Sequence, residues 1–189
     1  AALREPPIAK PIEAALDQLG HLVEGVLAAD KFPLVLGGEH SLTVGAVRPL
    51  LLRHSDLVVL QFDAHADLRD GYLGERYSHA AAMRRVLDNP GVSLVSLGIR
   101  AISEAEAEFI ESNRDRITIH WAKDQAEWNE DSILERLRGR AVYISFDIDA
   151  LDAAVMPATG TPTPGGLGYW QVLSLLRKAC GVANVVGAD

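Results

Sequence analysis

Short apolar runs of strand length alternate with segments of helical periodicity along most of the chain. This alternation is typical of βαβ units, in which helices cover both faces of a parallel sheet. The sequence therefore predicts an α/β fold: a three-layer α/β/α domain around a mainly parallel, doubly wound sheet. The predicted strands are residues 33–36, 57–62, 93–97, 117–119, 141–146 and 183–186.

Helix signals and one irregular segment complete this prediction. Residues 12–29 show helical periodicity, and Ser103 with Glu106 has the spacing of a capping box that opens another helix. Residues 156–167 contain three prolines and three glycines, which exclude a helix or a central strand. We expect a rigid loop there, beyond the strand ends where open α/β sheets bind ligands. The glycines expected just after helix C-termini are Gly139 and Gly181.

The composition describes a globular chain and excludes several classes of protein. Its 189 residues are 48% hydrophobic and 23% charged, and no apolar stretch approaches the ~20 residues of a transmembrane helix. A single cysteine, Cys180, excludes an internal disulfide framework and favours a cytoplasmic location. The net charge of −8 disfavours nucleic acid as a partner and weakly favours a cationic substrate. We expect one soluble domain with no membrane partner.

Three short clusters of candidate metal ligands each follow an apolar run. They are Gly-Gly-Glu-His-Ser at 37–41, Asp-Ala-His-Ala-Asp at 63–67 and Asp-Ile-Asp at 147–149. In extended backbone, residues i, i+2 and i+4 share one face, so the ligands of each of the last two clusters can converge. The six candidate ligands are His40, Asp63, His65, Asp67, Asp147 and Asp149.

The charges of these clusters call for a cation. Burying unpaired carboxylates costs several kcal/mol for each ion, and the clusters contain no Lys or Arg. Divalent metal ions are the simplest compensation, and oxygen-rich sets with one imidazole per metal suit Mn²⁺, Fe²⁺ or Co²⁺ better than a structural zinc. A solvated turn is the alternative for a lone Asp-x-His-x-Asp motif, and a helix start is the alternative for His40. The three clusters together favour a two-metal hydrolase site.

Several other residues have both a structural and a functional interpretation. Asp152 is either a third ligand of the last cluster or, as we favour, a brace for the loop at 156–167. His79 precedes a helix, where it is either a surface group or a proton-transfer group at the mouth of the site. The remaining histidines are expected to be structural or solvated: His21, His54 and His120. The tryptophans are expected to be packing or interface residues rather than substrate platforms: Trp121, Trp128 and Trp170.

With these motifs in order, the chain resembles the ureohydrolase family, which includes the arginases and agmatinases. The motifs that carry the resemblance span residues 37–41, 63–70, 145–152, 158–162 and 164–166. The alanines of the second motif, the segment Tyr77-Ser-His79 and the segment Gly98-Ile-Arg100 resemble agmatinases and related guanidino-compound hydrolases more than arginases. The resemblance implies an arginase-like α/β/α fold that holds two Mn²⁺ ions per subunit.

The resemblance also implies roles for the ligands. One Mn²⁺ would be held by His40, Asp63, Asp67 and Asp147, and the other by Asp63, His65, Asp147 and Asp149. Asp63 and Asp147 would then bridge the two ions, and a bridging water would be the nucleophile. Asp67 would carry a proton to the leaving amine, and His79 would be the proton shuttle.

The expected reaction is hydrolysis of the C–N bond of a linear guanidino compound, which releases urea and an amine. Agmatine, which yields putrescine in polyamine biosynthesis and arginine metabolism, is the favoured substrate. The family resemblance implies a homo-oligomer, a trimer or a hexamer. The alternatives are a metal-binding fragment or pseudoenzyme without turnover, and another dinuclear hydrolase such as a deacetylase-like relative.

The chain departs from the family pattern in two places and in its extent. Ala153 stands where the family has proline, and Thr163 stands where glutamate is frequent, so we expect changes in the loop and the substrate pocket. Residues 1–189 are expected to form a single but incomplete ureohydrolase domain. It would lack the first strand and a C-terminal segment whose glutamate grips the guanidinium, so little turnover is expected from the 189 residues alone.

Overall fold

Five parallel strands form one sheet in the computed structural model, which describes residues 10–189. The strands are β1 Val58–Phe62, β2 Ser93–Ile99, β3 Ile117–Trp121, β4 Ala141–Phe146 and β5 Asn184–Ala188. The α-helices are α1 Ile12–Ala28, α2 Leu42–Leu51, α3 Ala82–Val86, α4 Glu104–Ser112, α5 Glu130–Glu135 and α6 Tyr169–Val182. Short 3₁₀ helices span His79–Ala81, Ala122–Glu127 and Ile148–Ala150. The strand order β3-β2-β1-β4-β5 places β1 at the centre of the sheet.

Each face of the sheet carries its own hydrophobic core. On one face, Val59 and Tyr143 pack with residues of α1, α2 and α3. On the other face, Leu60 and Ile144 pack with residues of α5 and α6. All five residues of β1 are buried, as expected for a central strand of a parallel sheet covered on both faces. The predicted three-layer α/β/α fold is confirmed.

A close helix crossing sets the position of α2, the helix that follows His40. A side chain added at Gly45 would place its Cβ 2.6 Å from the carbonyl oxygen of Leu16. Only glycine allows the backbone of α2 to approach α1 this closely. The close packing against α1 therefore fixes the position of α2, independently of the site residues.

Two local predictions are wrong, and one is confirmed. Residues 33–36 do not form a strand, because only Leu34 bridges to Ala188 and a ladder needs consecutive pairs. Gly181 lies inside α6 rather than after it, since the helix continues to Val182. The capping box before α4 is confirmed: the Glu106 carboxylate accepts hydrogen bonds from the backbone N–H and the hydroxyl of Ser103.

Candidate metal centre

The second and third ligand clusters meet at the carboxyl ends of the two central strands. β1 and β4 are neighbours, with Phe62 opposite Phe146, so Asp63 and Asp147 follow side by side. The Asp147 N–H donates to the carbonyl of Phe62 at 2.9 Å, and the Asp63 N–H donates to the carbonyl of Leu97 at 3.1 Å. The sheet hydrogen bonds thus continue past the strand ends and hold both carboxylates in place.

The chain turns after β1 rather than continuing as a strand. The Asp63 carboxylate accepts the backbone N–H of His65 at 2.7 Å, and Asp67 has a left-handed φ of 53°. That conformation costs on the order of 1 kcal/mol, and aspartate tolerates it better than most residues. The expectation that extended backbone aligns Asp63, His65 and Asp67 is therefore wrong. Their convergence comes from a turn whose Asp67 carbonyl is held by the N–H of Arg84 at 3.0 Å.

The last cluster also departs from the extended geometry expected for it. Asp147 caps the 3₁₀ helix Ile148–Ala150, and its side chain accepts the N–H of Asp149 at 2.9 Å. The Asp149 carboxylate is 2% exposed and accepts from the Ala64 N–H and the Thr161 hydroxyl, both at 3.0 Å. The helical turn, rather than strand alternation, brings Asp149 to the side of Asp63.

His40 lies just before α2 and has two different surroundings at its two ring nitrogens. Its Nε2 is 2.8 Å from the hydroxyl of Ser145. Its Nδ1 faces carboxylate oxygens of Asp67, Asp63 and Asp147 at 2.9, 3.2 and 3.5 Å, yet forms no hydrogen bond with them. This buried nitrogen without a hydrogen bond is the strongest local sign that His40 and the three carboxylates form a cation-binding site.

The structure brings the ligands together in two groups that share Asp63. We call His40, Asp63 and Asp67 the His40 half-site, and Asp63, His65 and Asp149 the His65 half-site. In the second group, Nδ1 of His65 lies 3.1 Å from Asp149 and 3.5 Å from Asp63. Asp147 lies beside the first group through its contact with His40.

Burial and mutual repulsion raise the pKa of two carboxyl groups in the metal-free centre. Burial and the charge of Asp63 raise the pKa of Asp67 to about 7. The same two causes raise the pKa of Asp147 to about 6. Protons would therefore remain on this cluster near neutral pH when no metal is bound, and a metal would have to displace them.

The two histidines carry the balancing positive charge in the metal-free centre. Hydrogen bonds to Asp149 and Asp63 raise the pKa of His65 to about 10. Burial lowers the pKa of His40, but the neighbouring Asp63 and Asp67 outweigh burial and raise it well above its usual value. Burial likewise raises the pKa of Asp63, but the close contacts with the positively charged His40 and His65 outweigh burial and hold that pKa well below its usual value.

The donor set fits divalent metal ions. Within residues 10–189, no Lys or Arg forms an ion pair with any of the four carboxylates, which are Asp63, Asp67, Asp147 and Asp149. Carboxylate oxygens with one imidazole in each group are ligands that Mn²⁺, Fe²⁺ and Co²⁺ accept. The buried Nδ1 of His40, which has no hydrogen bond, is a nitrogen ligand available to such an ion.

Beneath the ligands runs a row of buried polar residues that the sequence analysis missed. Gln61 pairs in register with Ser96 of β2 and Ser145 of β4, and all three are 0% exposed. The Gln61 amide donates to Asp63 at 2.9 Å and accepts the Ser96 hydroxyl at 2.7 Å. A signal existed: Gln61 and Ser145 are polar residues inside apolar strands, and each lies two positions before a ligand.

Asp189 is a second missed residue, and it extends this buried network. Its carboxylate accepts the hydroxyls of Thr43 and Tyr143 at 2.8 Å and of Ser145 at 3.0 Å. Burial raises the pKa of Asp189, while His40 and the three hydroxyl donors oppose that change. Its contact with Ser145 connects this carboxylate to the His40 ring.

His79 lies at the rim of the cavity that contains the half-sites. This cavity has a volume of about 630 Å³, and its lining includes Glu39, Tyr72 and Ile102. The His79 side chain is 52% exposed, and its Nδ1 is 3.3 Å from a carboxylate oxygen of Glu39. The structure thus places His79 at the mouth, as predicted, while its proton-shuttle role stays a prediction.

The proline- and glycine-rich loop is held against the site by an arginine and an aspartate. Arg100 donates to the backbone carbonyls of Asp149 and Thr163, both at 2.7 Å. The Asp152 carboxylate accepts the N–H groups of Gly165 and Gly166 at 2.7 and 2.8 Å. Asp152 braces the loop, as we favoured over a ligand role.

Other candidate residues lie outside the centre. The ring of His120 packs edge-on against Trp128 at 5.9 Å, and burial lowers the pKa of His120. Trp170 is 75% exposed at the start of α6. No helix within residues 10–189 is both long enough and apolar enough to cross a membrane.

The fold and the site together define a class: α/β/α proteins with two adjacent candidate metal sites at the carboxyl edge of a parallel sheet. The model of the Arginase family matches residues 4–189. The chain belongs to the arginase family.

Individual relatives agree with this assignment. The N(1)-aminopropylagmatine ureohydrolase of Synechocystis is 37% identical over 84% of this chain and 52% of its own length. The agmatinase of Bacillus subtilis is 34% identical over 97% of this chain and 62% of its own length. The crystal structure of the agmatine ureohydrolase of Thermoplasma volcanium superposes with a TM-score of 0.82 at 37% identity, over 96% of this chain and 60% of that chain. The chain thus spans little more than half the length of these relatives.

Proposed function

We propose that this protein is a dinuclear, Mn²⁺-dependent hydrolase that cleaves the C–N bond of a linear guanidino compound and releases urea and an amine. One observation carries the proposal: two ligand groups share Asp63 around a buried imidazole nitrogen of His40 that has no hydrogen bond. The arrangement lies at the carboxyl edge of the sheet, where α/β folds bind their substrates.

The proposed ligands are the six residues that converge there. His40, Asp63, Asp67 and Asp147 would hold one ion, and Asp63, His65, Asp147 and Asp149 would hold the other. Two divalent ions at such a centre, when bound, supply a water of lowered pKa as a nucleophile at neutral pH. The identity of the metal as Mn²⁺ is part of the proposal, supported by a donor set that contains oxygen and imidazole but no thiolate.

The protein's own groups bind the substrate and move protons. The net charge of −8 and the carboxylate of Glu39 in the cavity lining favour a guanidinium cation over an anion. Asp67 is 5% exposed, and we propose that its carboxylate passes a proton to the departing amine. His79 is half exposed at the rim beside Glu39, so it can exchange protons between this interior and the solvent.

Agmatine is the first substrate we propose, and N(1)-aminopropylagmatine is the second. The second candidate is supported by two relatives named N(1)-aminopropylagmatine ureohydrolase, which are 37% and 40% identical to this chain. Both compounds carry a guanidinium on a linear aliphatic amine. They differ at the end far from the reacting carbon, so they test the outer part of the cavity.

The test is urea release from a panel of guanidino compounds with added Mn²⁺. It is measured on this polypeptide and on the gene product that includes any residues encoded beyond either end. We expect the longer gene product to release urea from agmatine or its aminopropyl derivative, and to release none after Asp149→Ala. Absence of urea from every compound, in a gene product shown to bind two Mn²⁺ ions, would reject the proposed reaction.

A further inference from the structure

A buried carboxylate collects the protons of three hydroxyl groups behind the His40 half-site. Asp189 accepts Thr43 and Tyr143 through one oxygen, both at 2.8 Å, and Ser145 through the other at 3.0 Å. Ser145 and Thr43 are also 3.2 Å apart. An ionised carboxylate has only acceptor capacity, so each of the three hydroxyls must donate to it.

The number of available protons determines whether Ser145 donates a hydrogen bond to His40 or accepts one from it. A serine hydroxyl has a single proton, and here that proton points to Asp189. The 2.8 Å contact between Ser145 and Nε2 of His40 therefore requires the proton to lie on Nε2. When His40 loses its second proton, as a metal ligand must, that proton leaves Nδ1, and the lone pair then lies on the nitrogen that faces Asp63 and Asp67.

We propose that Asp189 is a positioning residue for His40: through Ser145 it keeps the imidazole proton on Nε2 and so directs the Nδ1 lone pair at the ion between Asp63 and Asp67. Without Asp189, Ser145 would be free to donate its proton to Nε2 and favour the tautomer that cannot bind metal through Nδ1. The inference rests on the proposed function, because it requires a metal at the His40 half-site.

The first experiment titrates the metal-free protein with Mn²⁺ and compares three variants. Ser145→Ala and Asp189→Ala should each weaken the binding of one of the two ions by about 10- to 100-fold, the usual effect of losing a partner of a metal-bound histidine. The other ion should be bound nearly as well as before. Tyr143→Phe is the matched control, since it removes another donor to Asp189 but leaves the path through Ser145 intact, and it should change neither affinity more than about threefold.

Combining the substitutions tests whether the two residues act along one path. If Asp189 acts through Ser145, the double variant Ser145→Ala/Asp189→Ala should bind the affected ion no more weakly than Ser145→Ala alone. A general loss of packing would instead make the two effects multiply. Thermal unfolding of the metal-free variants shows whether each one folds.

The NMR signal of the Nε2–H proton of His40 reports the position of this proton directly, and it can also be measured in a variant of lower stability. In protein loaded with diamagnetic Zn²⁺, the Nε2–H proton of His40 should resonate downfield, because its acceptor Ser145 is polarised by a carboxylate. Asp189→Ala should move that resonance upfield although His40 and Ser145 are unchanged, and Tyr143→Phe should not.

The outcomes separate this inference from the proposed function. If the unsubstituted protein binds no Mn²⁺, the proposed metal centre itself fails. If it binds two ions and Asp189→Ala leaves both affinities and the Nε2–H resonance unchanged, only the positioning role of Asp189 is overturned. Multiplying effects in the double variant would overturn it as well.

Discussion

The His40 half-site and the His65 half-site share Asp63 but are built differently. The His40 side chain is 8% exposed and is held at its far nitrogen by Ser145. The His65 side chain is 31% exposed, and its ring is oriented by Asp63 and Asp149 on the metal-facing side. One half-site is therefore prearranged inside the protein, whereas the other faces the cavity. We expect the His40 half-site to bind metal more tightly and the His65 half-site to exchange it faster.

The substitution with the largest expected effect removes the residue that the two half-sites share. Asp63→Asn should lower the affinity for both ions by more than about 100-fold, because both half-sites lose the same carboxylate ligand. This is a larger loss than that expected from removing a residue that only hydrogen-bonds to a ligand. Titration with Mn²⁺ measures this, with the exposed Asp17→Asn as a control. Loss of only one ion would show that Asp63 does not bridge.

Removing a ligand from one half-site should weaken the binding of one ion and leave the other ion bound. Asp149→Ala should abolish tight binding of the second ion and leave one ion at the His40 half-site. Metal analysis after dialysis gives the stoichiometry. Two tightly bound ions in this variant would refute the assignment of Asp149 as a ligand.

The pH dependence of stability should distinguish the metal-free protein from the metal-bound protein. The folded-state pKa of His65 is raised to about 10, so its stabilising contribution is complete below its unfolded pKa and is lost as pH rises through 10. The folded-state pKa values of Asp67 and Asp147 are likewise raised, to about 7 and 6. Their stabilising contributions are complete below the unfolded pKa of about 4 and are lost as the pH rises to about 7 for Asp67 and to about 6 for Asp147.

Metal binding needs these same groups deprotonated. A rise in pH should therefore strengthen Mn²⁺ binding while it destabilises the metal-free protein. The rise in melting temperature on adding saturating Mn²⁺ should therefore be larger at pH 8 than at pH 6. Thermal unfolding with and without Mn²⁺ at the two pH values measures this difference. A rise that does not depend on pH would mean that the ion does not displace protons from this cluster.

The smallest predicted effect concerns the loop next to the His65 half-site. Arg100→Ala should lower the free energy of unfolding by about 2–3 kcal/mol, because it removes charged hydrogen bonds to the carbonyls of Asp149 and Thr163. Mn²⁺ affinity should fall at the His65 half-site and not at the His40 half-site. Arg100→Lys should recover only part of this stability, since lysine lacks the planar fork. Chemical unfolding and Mn²⁺ titration measure both effects.

The sequence predicts the location of the centre well, for a physical reason. Charged residues directly after buried apolar strands must lie at the end of a parallel sheet, and Asp63 and Asp147 do. The local backbone was predicted wrongly, because strand alternation was extended beyond the strands. Asp67 reaches the site through a left-handed turn, and Asp149 reaches it through a 3₁₀ turn.

The residues that support the ligands were harder to predict. Thr43 and Asp189 lie 146 positions apart and meet only in the folded chain, so no local spacing indicates their contact. Tyr143 has the character of an ordinary core residue, and only its buried hydroxyl shows its role. Predicting such a network requires the strand order, which the sequence pattern does not determine.

The register between β1 and β4 makes the centre unusually sensitive to insertions and deletions. The spacing of Asp63 and Asp147 follows from two adjacent strands, about 4.8 Å apart, paired with Phe62 opposite Phe146. One extra residue within β1 would leave the main-chain ladder able to form but would turn Asp63 to the opposite face. A homologue could therefore retain all six ligands in its sequence and still have no centre. When homologues are aligned, a gap inside either strand is as informative as a lost ligand.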